Sequence, residues 1–82
     1  MTAEQVRAQL RDYILSELIR DPEYALADDE GIISNGLMDS FALAQVGVFI
    51  EDAFGVYIPD PELTVERMDT LNLMVARVLR DQ

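Results

Sequence analysis

Histidine, the commonest general base and metal ligand, is absent from this chain, and so is cysteine. There is therefore no imidazole to move protons, no thiolate nucleophile and no disulfide framework. The hydroxyls worth weighing as nucleophiles are those of Ser16, Ser34 and Ser40. Ser16 lies inside an amphipathic helical pattern and Ser34 inside a polar connection. Ser40 differs, because it stands in Gly36-Leu37-Met38-Asp39-Ser40-Phe41, where a loop gives way to a helix. Free amides and the dipole at such a point favour a phosphate ester. No Gly-x-Ser-x-Gly elbow surrounds it and no triad partner exists, so Ser40 is not a self-sufficient catalyst. It reads either as a plain helix cap or as a residue modified by another enzyme. The other chemistry-bearing group is Asp28-Asp29-Glu30, three hard oxygen donors without the spacing of a calcium loop. No specific metal site is expected there, only weak stabilisation by divalent ions.

The elements that position Ser40 can be traced in order. Thr2-Ala3-Glu4-Gln5 forms a capping box, and Val6, Leu10, Tyr13, Ile14 and Leu18 follow at helical spacing. Arg7 and Arg11 fall on the outer face. The first helix is expected over residues 3–20, ended by the restriction Pro22 places on Asp21. Residues 21–39 form a long connection whose apolar Tyr24, Leu26, Ile32, Ile33, Leu37 and Met38 should pack across the bundle. A second helix begins at Asp39 or Ser40. Its Leu43, Val46, Gly47, Ile50 and Phe54 make a core face, and Phe41, Gln45, Val48 and Asp52 an outward stripe. Gly47 costs helix stability, which points to close packing there by the first helix or by a cargo. Gly55 stops the helix, and Val56-Tyr57-Ile58 is an extended linker. A short third helix lies somewhere in 61–68. Asp69 or Thr70 caps the last, with Leu71, Met74, Val75, Val78 and Leu79 inward and Arg77 and Arg80 near its C-terminal end. The expected fold is all-α: a single domain over 1–82, an irregular four-helix bundle of three longer helices and one short one, with a long first loop.

Charge narrows the partners. The chain has 82 residues, sixteen acids and six bases, all six arginine, for a net charge of −10. Twelve acids and one base, Arg67, lie between Asp21 and Asp69. Such a surface repels nucleic acid and suits proteins with basic patches. No apolar run is long enough for a membrane span and the N-terminus is not a signal sequence. A cytoplasmic monomer is expected.

With Gly36 to Phe41, a mostly apolar helix after it, and Ile50-Glu51-Asp52-Ala53-Phe54-Gly55-Val56-Tyr57-Ile58-Pro59-Asp60, the chain resembles the acyl carrier and peptidyl carrier protein family from about Leu26 to Leu79. The resemblance implies that Ser40 carries 4′-phosphopantetheine, transferred from coenzyme A by a phosphopantetheinyl transferase. It implies that Asp39 orients the serine and engages the transferase's metal site, and that Phe41, Gln45, Val48 and Asp52 dock partners. Those partners would be an adenylating or acyl-loading enzyme and a downstream acyl-transfer or condensing enzyme, the carrier itself catalysing nothing. Ala42 and Gln45 stand where fatty-acid-type carriers usually have acids. Ser40-Phe41 and the Pro61-Glu62-Leu63-Thr64-Val65-Glu66-Arg67-Met68 segment resemble instead the free-standing carriers, which include D-alanyl carrier proteins and the discrete carriers of polyketide and nonribosomal pathways; the latter are the main reading. A D-alanyl carrier of cell-envelope modification is the alternative within the family. From another class, the alternative is an acidic helical interaction module without cofactor, in which Ser40 is only a cap.

Overall fold

Thr2 opens the first helix as the sequence predicts. In the computed structural model, which describes residues 1–82, its hydroxyl accepts from the Gln5 amide at 3.2 Å and the Gln5 side chain accepts from the Thr2 amide at 2.9 Å. Helix α1 runs Ala3–Tyr13 and then changes form, because Ile14–Ile19 is π-helical. The sequence predicts one helix over residues 3–20; that extent holds to Ile19, but the last turns are π-helical. Ile14 and Leu15 are consecutive and both buried, with Leu18 and Ile19 packed behind them. A wider turn rotates less per residue and brings all four toward the core, which a regular helix would not do. The segment ends at Arg20 in the left-handed conformation, and the amides of Arg20 and Asp21 both donate to the Leu15 carbonyl. Arg7 and Arg11 do not simply face solvent either. Both guanidiniums reach Asp28 in the connection, and Arg7 also donates to Asn72 at 2.7 Å.

The connection from Asp21 to Phe41 is built of turns rather than helix. It is anchored in the core by Leu26, Ile32 and Met38. The Leu37 and Met38 amides donate back to the Ile32 carbonyl at 2.9 and 3.3 Å. Gly36, at φ 79°, makes the turn that permits this, a backbone region costly for any residue with a Cβ. The Ile32 amide donates to the Asp69 carbonyl at 2.8 Å. The Asp69 carboxylate accepts from the amides of Ile33 (2.7 Å) and Ser34 (3.0 Å) and from the Ser34 hydroxyl (2.6 Å). Asp69 is thus the clamp of the loop. Capping of the last helix falls to Thr70, whose hydroxyl accepts from Leu73 at 3.1 Å.

Helix α2 spans Ala42–Phe54 and ends at Gly55, φ 70°. Leu43, Val46, Gly47 and Ile50 are buried as predicted, and Phe54 is half-buried. The close neighbour of Gly47 within the protein is not the first helix. It is Leu63: a Cβ on Gly47 would stand 3.0 Å from a Leu63 methyl. Val56 and Ile58 are buried and Tyr57 exposed along the extended linker. A single 3-10 turn at Asp60–Glu62 leads to the short α3, Val65–Met68, and then to α4, Leu71–Arg80. Leu79, predicted inward, is 36% exposed and outside the core. Arg77 does more than oppose a dipole, because its guanidinium, 10% exposed, is held by Glu62 at 2.8 Å and Asp81 at 2.7 Å.

The three longer helical elements and the short α3 enclose a core of seventeen apolar side chains with no polar side chain among the buried residues. Helices α1 and α4 pack directly on one another, and the Tyr13 ring stacks on Phe49 of α2 at 4.2 Å. The molecule measures 28 × 25 × 20 Å. No helix is long and apolar enough to cross a membrane. The all-α, irregular four-helix bundle with a long first loop is the fold observed.

Candidate functional site

Ser40 sits on the exposed shoulder between the clamped loop and α2. Buried Met38 fixes the chain two residues before it, and the first residue of regular α-helix is Ala42 two residues after it. The helix therefore starts later than the predicted Asp39 or Ser40. Neither predicted residue occupies the N-cap position, which falls to Phe41, but of the two Asp39 satisfies a first-turn amide: its Oδ1 accepts from Ala42 at 3.1 Å. The Ser40 hydroxyl makes no hydrogen bond, although the Ser40 carbonyl accepts from the Leu43 amide at 3.2 Å. The backbone amides of Ser40 and Phe41 have no acceptor within the protein. The result is an exposed, uncommitted hydroxyl beside two free N–H donors at the positive end of a thirteen-residue helix. Such an arrangement accommodates a phosphate ester on the serine oxygen, and no side chain is hydrogen-bonded to that oxygen to activate it.

Grooves flank the serine. On one side Ser40, Phe41, Ala44, Asp60 and Leu63 line a depression of about 260 Å³. On the other, Asp39, Phe41 and Gln45 face Glu17 and Arg20 across a groove of about 350 Å³. Phe41, 86% exposed, is the wall between them. A side chain this apolar and this exposed at the start of a helix is unusual for a core-forming residue.

The other residues of the predicted outward stripe are also exposed. Gln45, Val48 and Asp52 share one groove of about 400 Å³ with Tyr13, Ala44 and Phe49, and Phe41 meets Gln45 one turn nearer the serine. Tyr13, which the sequence assigns to the interior of the first helix, forms the far wall of this groove. Its hydroxyl reaches the Gln45 carbonyl at 3.5 Å, and burial, then the charge of Glu17, pushes its phenol up so that it stays a donor. Sequence reasoning also missed Asp60 and Leu63 beside Ser40. Asp60-Pro61 signalled a helix start, but nothing in its pattern signalled proximity to the serine. Asp28-Asp29-Glu30 is dispersed into separate duties: Asp28 pairs with the two arginines, and Glu30 accepts from the Tyr24 hydroxyl and the Ala27 amide. The hydrogen bond from Tyr24, then that from Ala27, holds the Glu30 carboxyl below its usual range.

Two curated relatives bear on this arrangement. The D-alanyl carrier proteins of Lactobacillus acidophilus (strain ATCC 700396 / NCK56 / N2 / NCFM) and Lactobacillus helveticus (strain DPC 4571) are 42% and 40% identical to the chain over 50 residues. The chain resembles D-alanyl carrier proteins. The matched stretch is 61% of this chain and spans 63% of the length of each relative. No family model matches the chain. The resemblance to carrier proteins drawn from Gly36–Phe41 and Ile50–Asp60 thus extends to two proteins that carry that name. Between the two forms of carrier expected, the similarity favours the D-alanyl type over a polyketide or nonribosomal one.

Proposed function

We propose that the protein is a non-catalytic carrier that holds an aminoacyl group, D-alanine by similarity to its relatives, on a 4′-phosphopantetheine arm attached to Ser40. The observation that carries this reading is the Ser40 hydroxyl, exposed and without a hydrogen-bond partner in the Gly-Leu-Met-Asp-Ser-Phe segment. A serine kept only as a cap would use its oxygen on the helix amides, and here Asp39 does that instead. This weighs against the reading of a cofactor-free interaction module. The arm supplies a thiol, absent from the chain itself, on which a thioester forms. The chain's own residues hold the attachment point still: Met38 anchors the loop, Asp39 satisfies the Ala42 amide and the Ser40 and Phe41 amides face the ester. Asp39 keeps its second carboxylate oxygen free for the transferase's metal site. A tethered group reaches successive partners at high effective concentration. The partners are a phosphopantetheinyl transferase, an adenylating enzyme that loads the amino acid, and an acceptor enzyme downstream, all met in the cytoplasm by a monomer. Phe41, Gln45, Val48 and Asp52 are the docking face.

Intact mass after incubation with coenzyme A and a broad-specificity transferase tests the attachment. Wild type is expected to gain one phosphopantetheine and Ser40→Ala none; an equal gain in both defeats the proposal. Offering the loaded protein D-alanine, ATP and a D-alanine-activating ligase then tests the cargo. A further gain of one alanyl group, greater than with L-alanine, is the expected result. A loaded protein that accepts no D-alanine rejects the D-alanyl type while leaving the carrier.

A further inference from the structure

Two depressions run end to end from Ser40. The first, of about 260 Å³, is shared by Ser40, Ala44, Asp60 and Leu63. The second, of about 190 Å³, keeps Ala44, Asp60 and Leu63 and adds Gly47, Glu51 and Tyr57. The three common residues make them one trough between α2 and the chain that follows it. Ser40, Ala44, Gly47 and Glu51 recur at the spacing of a single helix face, so the trough keeps to that face. A rise of about 1.5 Å per residue puts Glu51 about 16 Å from Ser40 along the axis.

The far end of the trough has a definite chemistry. Glu51 and Asp60 line it and no arginine does. Every ion pair of the chain uses Asp28, Glu62 or Asp81, so these two carboxylates are unmatched. Tyr57 stands beside them, 64% exposed between buried Val56 and Ile58. A carboxylate without a partner beside an aromatic ring suits an ammonium group, drawn by the charge and by the negative face of the ring.

We propose that Glu51 and Tyr57 form a subsite for the α-ammonium of the aminoacyl cargo, with Asp60 adding to the attraction. The inference rests on the carrier reading above and deepens it. The phosphate stays on the shoulder at the free amides of Ser40 and Phe41, and Asp60 repels it from the trough. The uncharged remainder of the arm follows α2, and the thioester end arrives beside Glu51. A neutral acyl group gains nothing from these carboxylates, and a cargo with a free carboxylate is repelled. The trough therefore sorts cargo by charge.

The test uses an arm ending in D-alanine joined through an amide, which does not hydrolyse as a thioester does, installed on Ser40 from the matching coenzyme A analogue. An arm ending in a propionyl group, alike in shape without the ammonium, is the control, and intact mass verifies complete loading. The acid dissociation constant of the ammonium is read from the ¹³C shift of labelled alanine against pH. It is expected to be several-fold smaller in wild type than in Glu51→Gln, because a nearby negative charge favours the protonated form. Tyr57→Leu should lose part of the difference. Glu66→Gln, which removes an acid outside the trough, should lose none of it. The Glu51 and Tyr57 amide signals should shift more with the D-alanyl arm than with the propionyl arm. Glu51 and Tyr57 are both exposed, so these variants fold. An ammonium that titrates alike in wild type, Glu51→Gln and Tyr57→Leu, or that responds equally to Glu66→Gln, overturns the inference. Failure of wild type to gain mass from coenzyme A itself overturns the carrier reading instead and is told apart by that measurement.

Discussion

The division of labour between Asp39 and Ser40 is decided over a single residue step. Both are good cap types, yet the carboxylate takes the Ala42 amide and the hydroxyl takes nothing. Asp39→Ala is therefore expected to cost about 1 kcal/mol, within the roughly 0.5–2 typical of a lost capping hydrogen bond. Ser40→Ala, at an exposed oxygen without partners, should change stability by no more than about 0.5 kcal/mol. Urea melts of the two variants check this, and a larger loss for Ser40→Ala would show that the hydroxyl is the cap after all. Types and spacing narrowed the capping side chain to these two residues. They could not choose between them, because the choice depends on the turn that Gly36 and buried Met38 impose just upstream.

At the scale of elements, two surfaces matter: the outer face of α2 and the loop that delivers the chain to it. Phe41 is 86% and Val48 59% exposed, so neither supports the core. Phe41→Asp and Val48→Glu should leave the helical circular dichroism intact and slow loading by the cognate enzyme. Unchanged loading rates in both would remove this face as the docking site. The loop depends on Asp69, thirty-five residues from Ser34, through three hydrogen bonds to the carboxylate. Burial alone would push the Asp69 carboxyl up. The Ser34 hydroxyl and the Ser34 and Ile33 amides outweigh it together and hold the group below its ordinary value. Asp69→Ala leaves those donors unmatched and should destabilise the fold by roughly 1–3 kcal/mol, with faster amide exchange at Ile33 and Ser34. No local pattern marks Asp69 for this duty. Beside Thr70 it reads as a helix cap, and only the return of the chain reveals its partners.

For the molecule as a whole, a charge of −10 makes self-repulsion a standing cost. Part of the acidic stretch is neutralised: Asp28 by two arginines and Glu62 by a cluster of three. The rest is unscreened, so raising ionic strength to about 0.15 M, where the Debye length is about 8 Å, should raise Tm. The pH profile follows from the carboxyls held low. The Arg77 hydrogen bond is the largest influence lowering Glu62 and Asp81, and Asp69 is lowered by its donors. A depressed folded pKa contributes stability above the unfolded value and loses it as pH falls through the folded value. With no histidine, no side chain titrates at its ordinary value between about pH 5 and 8. Thermal melts should thus be flat across that window and fall below about pH 4, less steeply in Asp69→Asn. A transition near neutrality would contradict this.

The all-α architecture, the helix count, the buried face of α2, the exposed stripe and the singular setting of Ser40 are properties of the sequence itself. They follow from periodicity, capping residues and the absence of histidine and cysteine, all of which act between near neighbours. The π-helical turn after Tyr13, the left-handed turn at Arg20, the Asp69 clamp, Leu63 against Gly47, and the pairing of Asp28 with Arg7 and Arg11 belong to the tertiary structure alone. Each joins residues far apart in the chain, or bends local geometry to suit a core packed from several elements, and neither constraint leaves a mark at short range.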